Sequence, residues 1–287
     1  MNSYRIPEIA KKYTDYDMIQ TNTELPEFPH YRVRLLFAFL NKSGLPQEST
    51  ELYALVTSLA QMGLDTHQLV SETNDVKETK AARSRQLQVL AGDYFSSRFY
   101  QLLSQAGHTE MTRQLSGAIC EVNRLKMSLY VRMKQLKCSA EEYLQETVNI
   151  RMQLFLLFGR WMKDIYSIQW AEILEAFTRC EVLIHEIDRS NSLQELQGSW
   201  GYWYILQTGS KEEKRQLKGE QGDGGKLRSL WLKHNVKAQL YQMLQQQLAL
   251  VQDKIGHLGS EKLTAELAAI GEPLVRYLSA PKVLEEI

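Results

Sequence analysis

The sequence predicts an all-α protein, and three observations lead there. Proline is scarce: Pro7, Pro26, Pro29 and Pro46 fall early, and Gln47 to Glu272 runs without one, so the residue that breaks helices is missing from most of the chain. From Tyr31 onward the apolar residues recur at spacings of three and four, the period of a helix with one buried face. Alternating apolar and polar residues, the mark of a strand, do not persist over any useful length.

The elements follow in order. Residues 1–28 form an N-terminal segment, extended or helical, closed by the PEFP stretch at 26–29, where two prolines favour extended backbone. Residues 29–287 are expected to form a single all-α domain. Its helical stripes are Leu36/Phe39/Leu40, Leu52/Leu55/Val56/Leu59, Phe95/Phe99/Leu102/Leu103, Leu115/Ile119/Val122, Leu154/Leu157/Phe158/Trp161 and Leu240/Met243/Leu244/Leu248. Two stretches are expected as loops: SETNDVKETKAARSR, 71–85, polar throughout, and KEEKRQLKGEQGDGGK, 211–226, which mixes charge with glycine. The GDGGK run is a poor phosphate loop, because position 220, where the first glycine of such a pattern belongs, is Glu220 and no strand precedes it.

Composition excludes some functions. Lys plus Arg and Asp plus Glu are equal at 34 each, so no net field draws in nucleic acid or an anionic membrane surface. Cys120, Cys138 and Cys180 show no CxxC or Cys/His spacing, which fits reduced thiols rather than a zinc framework. The start, MNSYRIPEIAKKYTDYD, has no basic segment followed by an apolar one, and the apolar run LFLLFG at 154–159 is far too short to span a bilayer. A soluble, cytoplasmic protein without a transmembrane segment is expected.

The chemistry starts from AGDYF at 91–95, where Asp93 follows Gly92 inside an apolar run. A carboxylate there suits a helix start, where it meets unpaired N–H groups and the positive end of the dipole. Counting back from this pair reaches LDTHQ, 64–68, and further on lie EEYLQETVNIRMQLF, 141–155, and IHEID, 184–188. This succession resembles the trans-prenyl diphosphate synthases from about residue 28 to 190. Their basic motif GGKxxRP falls on PHYRVRL, 29–35, with Arg34 kept and Tyr31 in a lysine position. Their two aspartate-rich motifs fall on Leu64, Asp65, Thr66, His67, Gln68 and on Ile184, His185, Glu186, Ile187, Asp188. Their lysine-threonine pair falls on Ile150 and Arg151. Within that group, LDTHQ, QLQVLAGDYFSSRFYQLLSQ and AICEVNRLKMSLY resemble component 1 of the bacterial heptaprenyl diphosphate synthases.

The resemblance implies an isoprenoid-synthase-like helical bundle acting as the accessory subunit of a two-component enzyme. That enzyme makes heptaprenyl diphosphate from farnesyl and isopentenyl diphosphates for menaquinone side chains. A Mg²⁺ clamp needs several hard oxygen ligands. One aspartate at the first place, and Glu186 and Asp188 at an i, i+2 spacing that splays them about 200° apart on a helix, do not supply it. No catalytic residue, cofactor or metal is therefore expected in this chain, and Mg²⁺ belongs to a component 2 with intact DDxxD motifs; the resemblance sets the two degenerate motifs facing each other, so the alternative is a transition-metal set of His67 and His185 with Asp65, Glu186 or Asp188. Arg34 is the expected diphosphate contact. Val56, Ala60 and Leu64 are expected to line a prenyl-tail channel, and Phe95, Phe99, Leu102, Leu115, Ile119 and Val122 to face the partner subunit. The alternative is a pseudoenzyme-like helical binding module for an isoprenoid or an unrelated protein partner.

Overall fold

A computed structural model of the chain describes residues 4–21, 23–70, 79–162, 165–192, 195–218 and 224–279. These residues are helical with no strand among them. Their contacts divide into two compact units, Met1–Glu121 with Gln153–Trp170, and Val122–Met152 with Ala171–Ile287.

The first unit opens with α1 (Ile6–Thr14) and the single turn α2 (Asp17–Gln20). Ile6 and Ala10 are buried, α1 packs on α4 (Gln47–Gln68), and Tyr4 meets Phe37 edge-on at 5.4 Å. Further along, Arg98 lies over the rings of Tyr94 and Tyr13, and the Gln88 side-chain amide donates to the Glu24 carbonyl at 2.8 Å. The N-terminal segment is thus a strap tied down along its length. α3 (His30–Ser43) begins after Pro29, where a missing N–H costs nothing, and ends at Gly44 with φ 82°, a left-handed cap that favours glycine. Its residues Val33 and Leu35–Leu40 are buried, as are Tyr53–Leu64 of α4. Both are interior helices, apolar nearly all round.

α4 packs most extensively on α5 (Thr79–Gln105), where Ala91, Phe95, Phe99 and Leu103 form a buried stripe at four-residue spacing. Gly63 and Gly92 explain how close the two helices come. A Cβ at Gly63 would sit 2.8 Å from Ser96 Oγ and 3.1 Å from the Gly92 carbonyl oxygen, and a Cβ at Gly92 would sit 2.6–2.8 Å from the His67 ring. α6 (Thr109–Lys134) follows the Gly107 turn.

The second unit contains most of α7 (Ala140–Leu156) and α8 (Ile165–Arg189), which are joined by a 3₁₀ turn at Leu157–Trp161. It continues through α9 (Trp200–Thr208), α10 (Lys211–Lys218), α11 (Gly224–Lys233), α12 (Val236–Gly256) and α13 (Glu261–Ser279). Ser139 and Glu142 form a reciprocal capping box at the start of α7, with Glu142 N–H donating to Ser139 Oγ and Ser139 N–H donating to the Glu142 carboxylate. Leu240, Leu244, Leu248, Val251 and Ile255 of α12 and Leu263, Leu267, Ile270 and Leu274 of α13 are buried where the two helices pack.

Two expectations on loops are corrected. Residues 71–78 and 219–223 lie outside the described residues, but Thr79–Arg85 is already the first part of α5, and Lys211–Lys218 is α10. A second capping box starts α10: Ser210 N–H donates to the Glu213 carboxylate at 2.6 Å and Glu213 N–H to Ser210 Oγ at 3.3 Å. Lys233 Nζ from α11 then pairs with Glu213 at 2.8 Å, so a charged sequence becomes a docked helix. Asp93 is also corrected. It lies in the middle of α5, not at a helix start, and its carboxylate lies 3.4 Å from His67 Nε2 instead of capping a helix.

Candidate functional site

In the first unit the LDTHQ residues occupy the last turns of α4. Leu64 and Thr66 are buried, Asp65 half-buried, His67 and Gln68 exposed. Asp65 Oδ1 accepts from the Gln61 side-chain amide, one turn back, at 2.9 Å. His67 lies with its ring against the Cα of Gly92 and its Nε2 3.4 Å from Asp93 Oδ1. Both carboxylates are therefore engaged inside the unit. Arg34 is half-buried, with its guanidinium 5.9 Å from the centre of the Tyr4 ring and its Nε buried without a partner. Near it Arg32, which the sequence reading passed over, is buried with its guanidinium over Phe155.

In the second unit IHEID occupies the end of α8. Glu186 is buried, and both of its oxygens are in use: Oε1 accepts from Tyr143 Oη at 3.0 Å and Arg189 Nη1 at 2.8 Å, while Oε2 accepts the Trp200 N–H at 2.6 Å. The Trp200 bond places a carboxylate at the N-terminus of α9, where the helix dipole welcomes it. Arg189 also donates to the Glu195 and Gln197 carbonyls, which ties residues 195–197, just before α9, to the end of α8. Asp188 is exposed and accepts from Tyr277 Oη at 2.7 Å, with the Tyr241 ring stacked beside Tyr277. His185 is half exposed; partial burial, then Arg151 and Arg189 nearby, lower its pKa to about 4. The imidazole is neutral at neutral pH.

These donor sets do not fit a Mg²⁺–diphosphate clamp. Glu186 has no free oxygen, Asp65 and Asp188 each have an oxygen occupied by a neighbour, and among the described residues no three acidic, His or Cys side chains converge as a metal site. The partners Gln61, Tyr143, Arg189 and Tyr277 escaped the sequence reading. Gln61, at i−4 from Asp65, and Arg189, at i+3 from Glu186, offered a signal.

Phe95, Phe99, Leu115 and Val122 are buried within the chain itself, and Leu102 and Ile119 are half-buried. Val56, Ala60 and Leu64, expected to line a channel, are likewise buried.

From residue 16 to 221 the sequence matches the family described as heptaprenyl diphosphate synthase (HEPPP synthase) subunit 1. The chain belongs to that family. It is also similar to heptaprenyl diphosphate synthase component 1 of Geobacillus stearothermophilus, 36% identical over 88 residues, 31% of this chain and 37% of the relative. The matched segment thus spans little more than a third of that relative's length. Among solved structures it resembles a decaprenyl diphosphate synthase from Rhodobacter capsulatus, with a TM-score of 0.67 at 14% identity over 95% of this chain and 98% of the other. It also resembles a geranylgeranyl pyrophosphate synthase from Bacteroides thetaiotaomicron, with a TM-score of 0.71 at 15% identity over 94% of each chain. At such identity the likeness establishes the fold: this member of the subunit 1 family has the all-α fold of the isoprenyl diphosphate synthases. No helix among its described residues is long and apolar enough to cross a membrane.

Proposed function

We propose that this chain is the accessory subunit of a two-component long-chain prenyl diphosphate synthase, inactive by itself and needed by a second component that carries intact aspartate-rich motifs. The match to subunit 1 over residues 16–221 carries the proposal. The engaged carboxylates support it, since Asp65, Glu186 and Asp188 already serve Gln61, Arg189 and Tyr277. Mg²⁺ and the ionisation of the allylic diphosphate, which needs that charge neutralised, are assigned to the partner. The product is heptaprenyl diphosphate, made in the cytoplasm for menaquinone side chains.

The partner would meet the outer faces of α5 and α6. Leu90, Ser97 and Tyr100 are exposed on α5, and Gly117, Cys120 and Met127 on α6. The Tyr100 and Ser116 hydroxyls, 2.9 Å apart, tie the two faces together. The test is to incubate the purified chain, the purified partner, and the mixture with farnesyl and isopentenyl diphosphates and Mg²⁺. Heptaprenyl diphosphate from the mixture alone is expected. Turnover by this chain free of any other synthase, or full activity of the partner without it, overturns the assignment.

A further inference from the structure

Resting on the accessory-subunit reading, we infer that this chain admits no prenyl tail along α4, so that any bearing it has on product length is exerted from outside its core. Ala54 and the five consecutive residues Val56 to Ala60 are each exposed by 1% or less. At 100° per residue, five consecutive positions sample the whole circumference of a helix, so this is a statement about every side of α4. A void wide enough for a hydrocarbon is wide enough for a water-sized sphere, and its lining would show accessible surface. Those six residues show essentially none, and Leu55 between them is only 6% exposed. The small side chain of Ala60 therefore marks close packing rather than an open floor.

Opening a path would also meet the wrong chemistry on one side. Thr57, Gln61 and Asp65 lie at i, i+4 and i+8, a polar stripe down an otherwise apolar interior. The Thr57 hydroxyl bonds back to the Tyr53 carbonyl of its own helix, and Gln61 Nε2 bonds to Asp65. Gln61 Oε1 is buried without a partner. A hydrocarbon laid along this stripe would face polar groups to which it can offer no hydrogen bond, Gln61 Oε1 among them, so this side is not a wall suited to an apolar tail. The adjacent side, about 100° round the helix, carries Val56 and Ala60; it is apolar but already filled, and close-packed interiors do not part without cost.

The experiment uses the assembled two-component enzyme and a prenyl diphosphate analogue with a benzophenone near the tail end, irradiated and mapped by peptide mass spectrometry. No adduct between residues 54 and 64 of this chain is expected; an adduct there overturns the inference. A second measurement uses Val56→Ala, which makes room beside Ala60. Product lengths unchanged from the parent complex support the inference, and a shift to longer products overturns it. Should the mixture make no long-chain product at all, the accessory reading fails separately. The isolated chain irradiated with the same probe then decides, with adducts at 54–64 against the inference and their absence for it.

Discussion

Glu186 and His185, adjacent on α8, act in opposite ways at the residue scale. Glu186 is a buried carboxylate whose partners come from α7, α8 and the start of α9. Removing one member of such a set leaves the others buried and unpaired, which costs about 3–5 kcal/mol. Glu186→Ala is expected to lower stability by that much, read as a shift in the denaturant midpoint at unchanged slope, whereas Glu186→Gln, which keeps the shape, should lose less. A loss under about 1 kcal/mol, the level of an exposed pair, would show that the hub does not hold α9. His185 responds to pH instead. Its folded pKa, about 4, lies below the ordinary value of 6.5, so between those values the unfolded chain binds more protons. Stability is expected to be fully present above pH 6.5 and to fall as the pH drops toward 4. His185→Gln should flatten that part of the profile. An unchanged slope would assign the acid sensitivity to other groups.

At the scale of elements, the α4–α5 crossing turns on two glycines with different consequences. The three atoms nearest a methyl at Gly92 all belong to the ring of His67, an exposed side chain that can swing aside, and alanine inside a helix gains about 1 kcal/mol over glycine. Gly92→Ala is therefore expected to be close to neutral in stability. A methyl at Gly63 meets the Gly92 carbonyl at 3.1 Å as well as Ser96 Oγ, and backbone cannot swing aside. Overpacking of that kind costs about 1–3 kcal/mol, so Gly63→Ala should be destabilising despite its better propensity, and equal melting temperatures for the two variants would disprove the close crossing. The same crossing shows what the sequence could convey. The helices were legible because Phe95, Phe99 and Leu103 recur on one face; that this face is internal was not, because periodicity marks a buried side without saying what buries it. The charge of Lys211–Lys218 points to a loop, although Ser210 and Glu213 at S-x-x-E spacing carry the helix-start signal. Asp65 and Glu186 are legible as positions through the motif register, but Tyr143 and Trp200, which both bond to Glu186, come from distant parts of the sequence that no local pattern connects.

For the whole molecule the question is which surface a second component would cover, and the three cysteines offer a direct measurement. Cys180 is buried, and burial pushes its thiol up to about 12, so it carries almost no thiolate and should not react in the folded chain. Cys138 is half-buried with its thiol also raised by burial, and Cys138→Ser removes it from the measurement. Cys120 is exposed on α6, one turn from Gly117 and two turns from the exposed Met127. Large apolar side chains left exposed near small ones suit a helix-on-helix contact, and interfaces of stable complexes exclude water from their centre. In the Cys138→Ser chain, a maleimide should therefore label Cys120 readily when the chain is alone and slowly once the partner is added, while Cys180 stays silent in both states. Circular dichroism of the labelled and unlabelled chain separates protection from a change in folding. If the complex forms and makes heptaprenyl diphosphate while Cys120 labels as fast as before, the partner docks elsewhere and the assignment of the α5 and α6 faces is wrong.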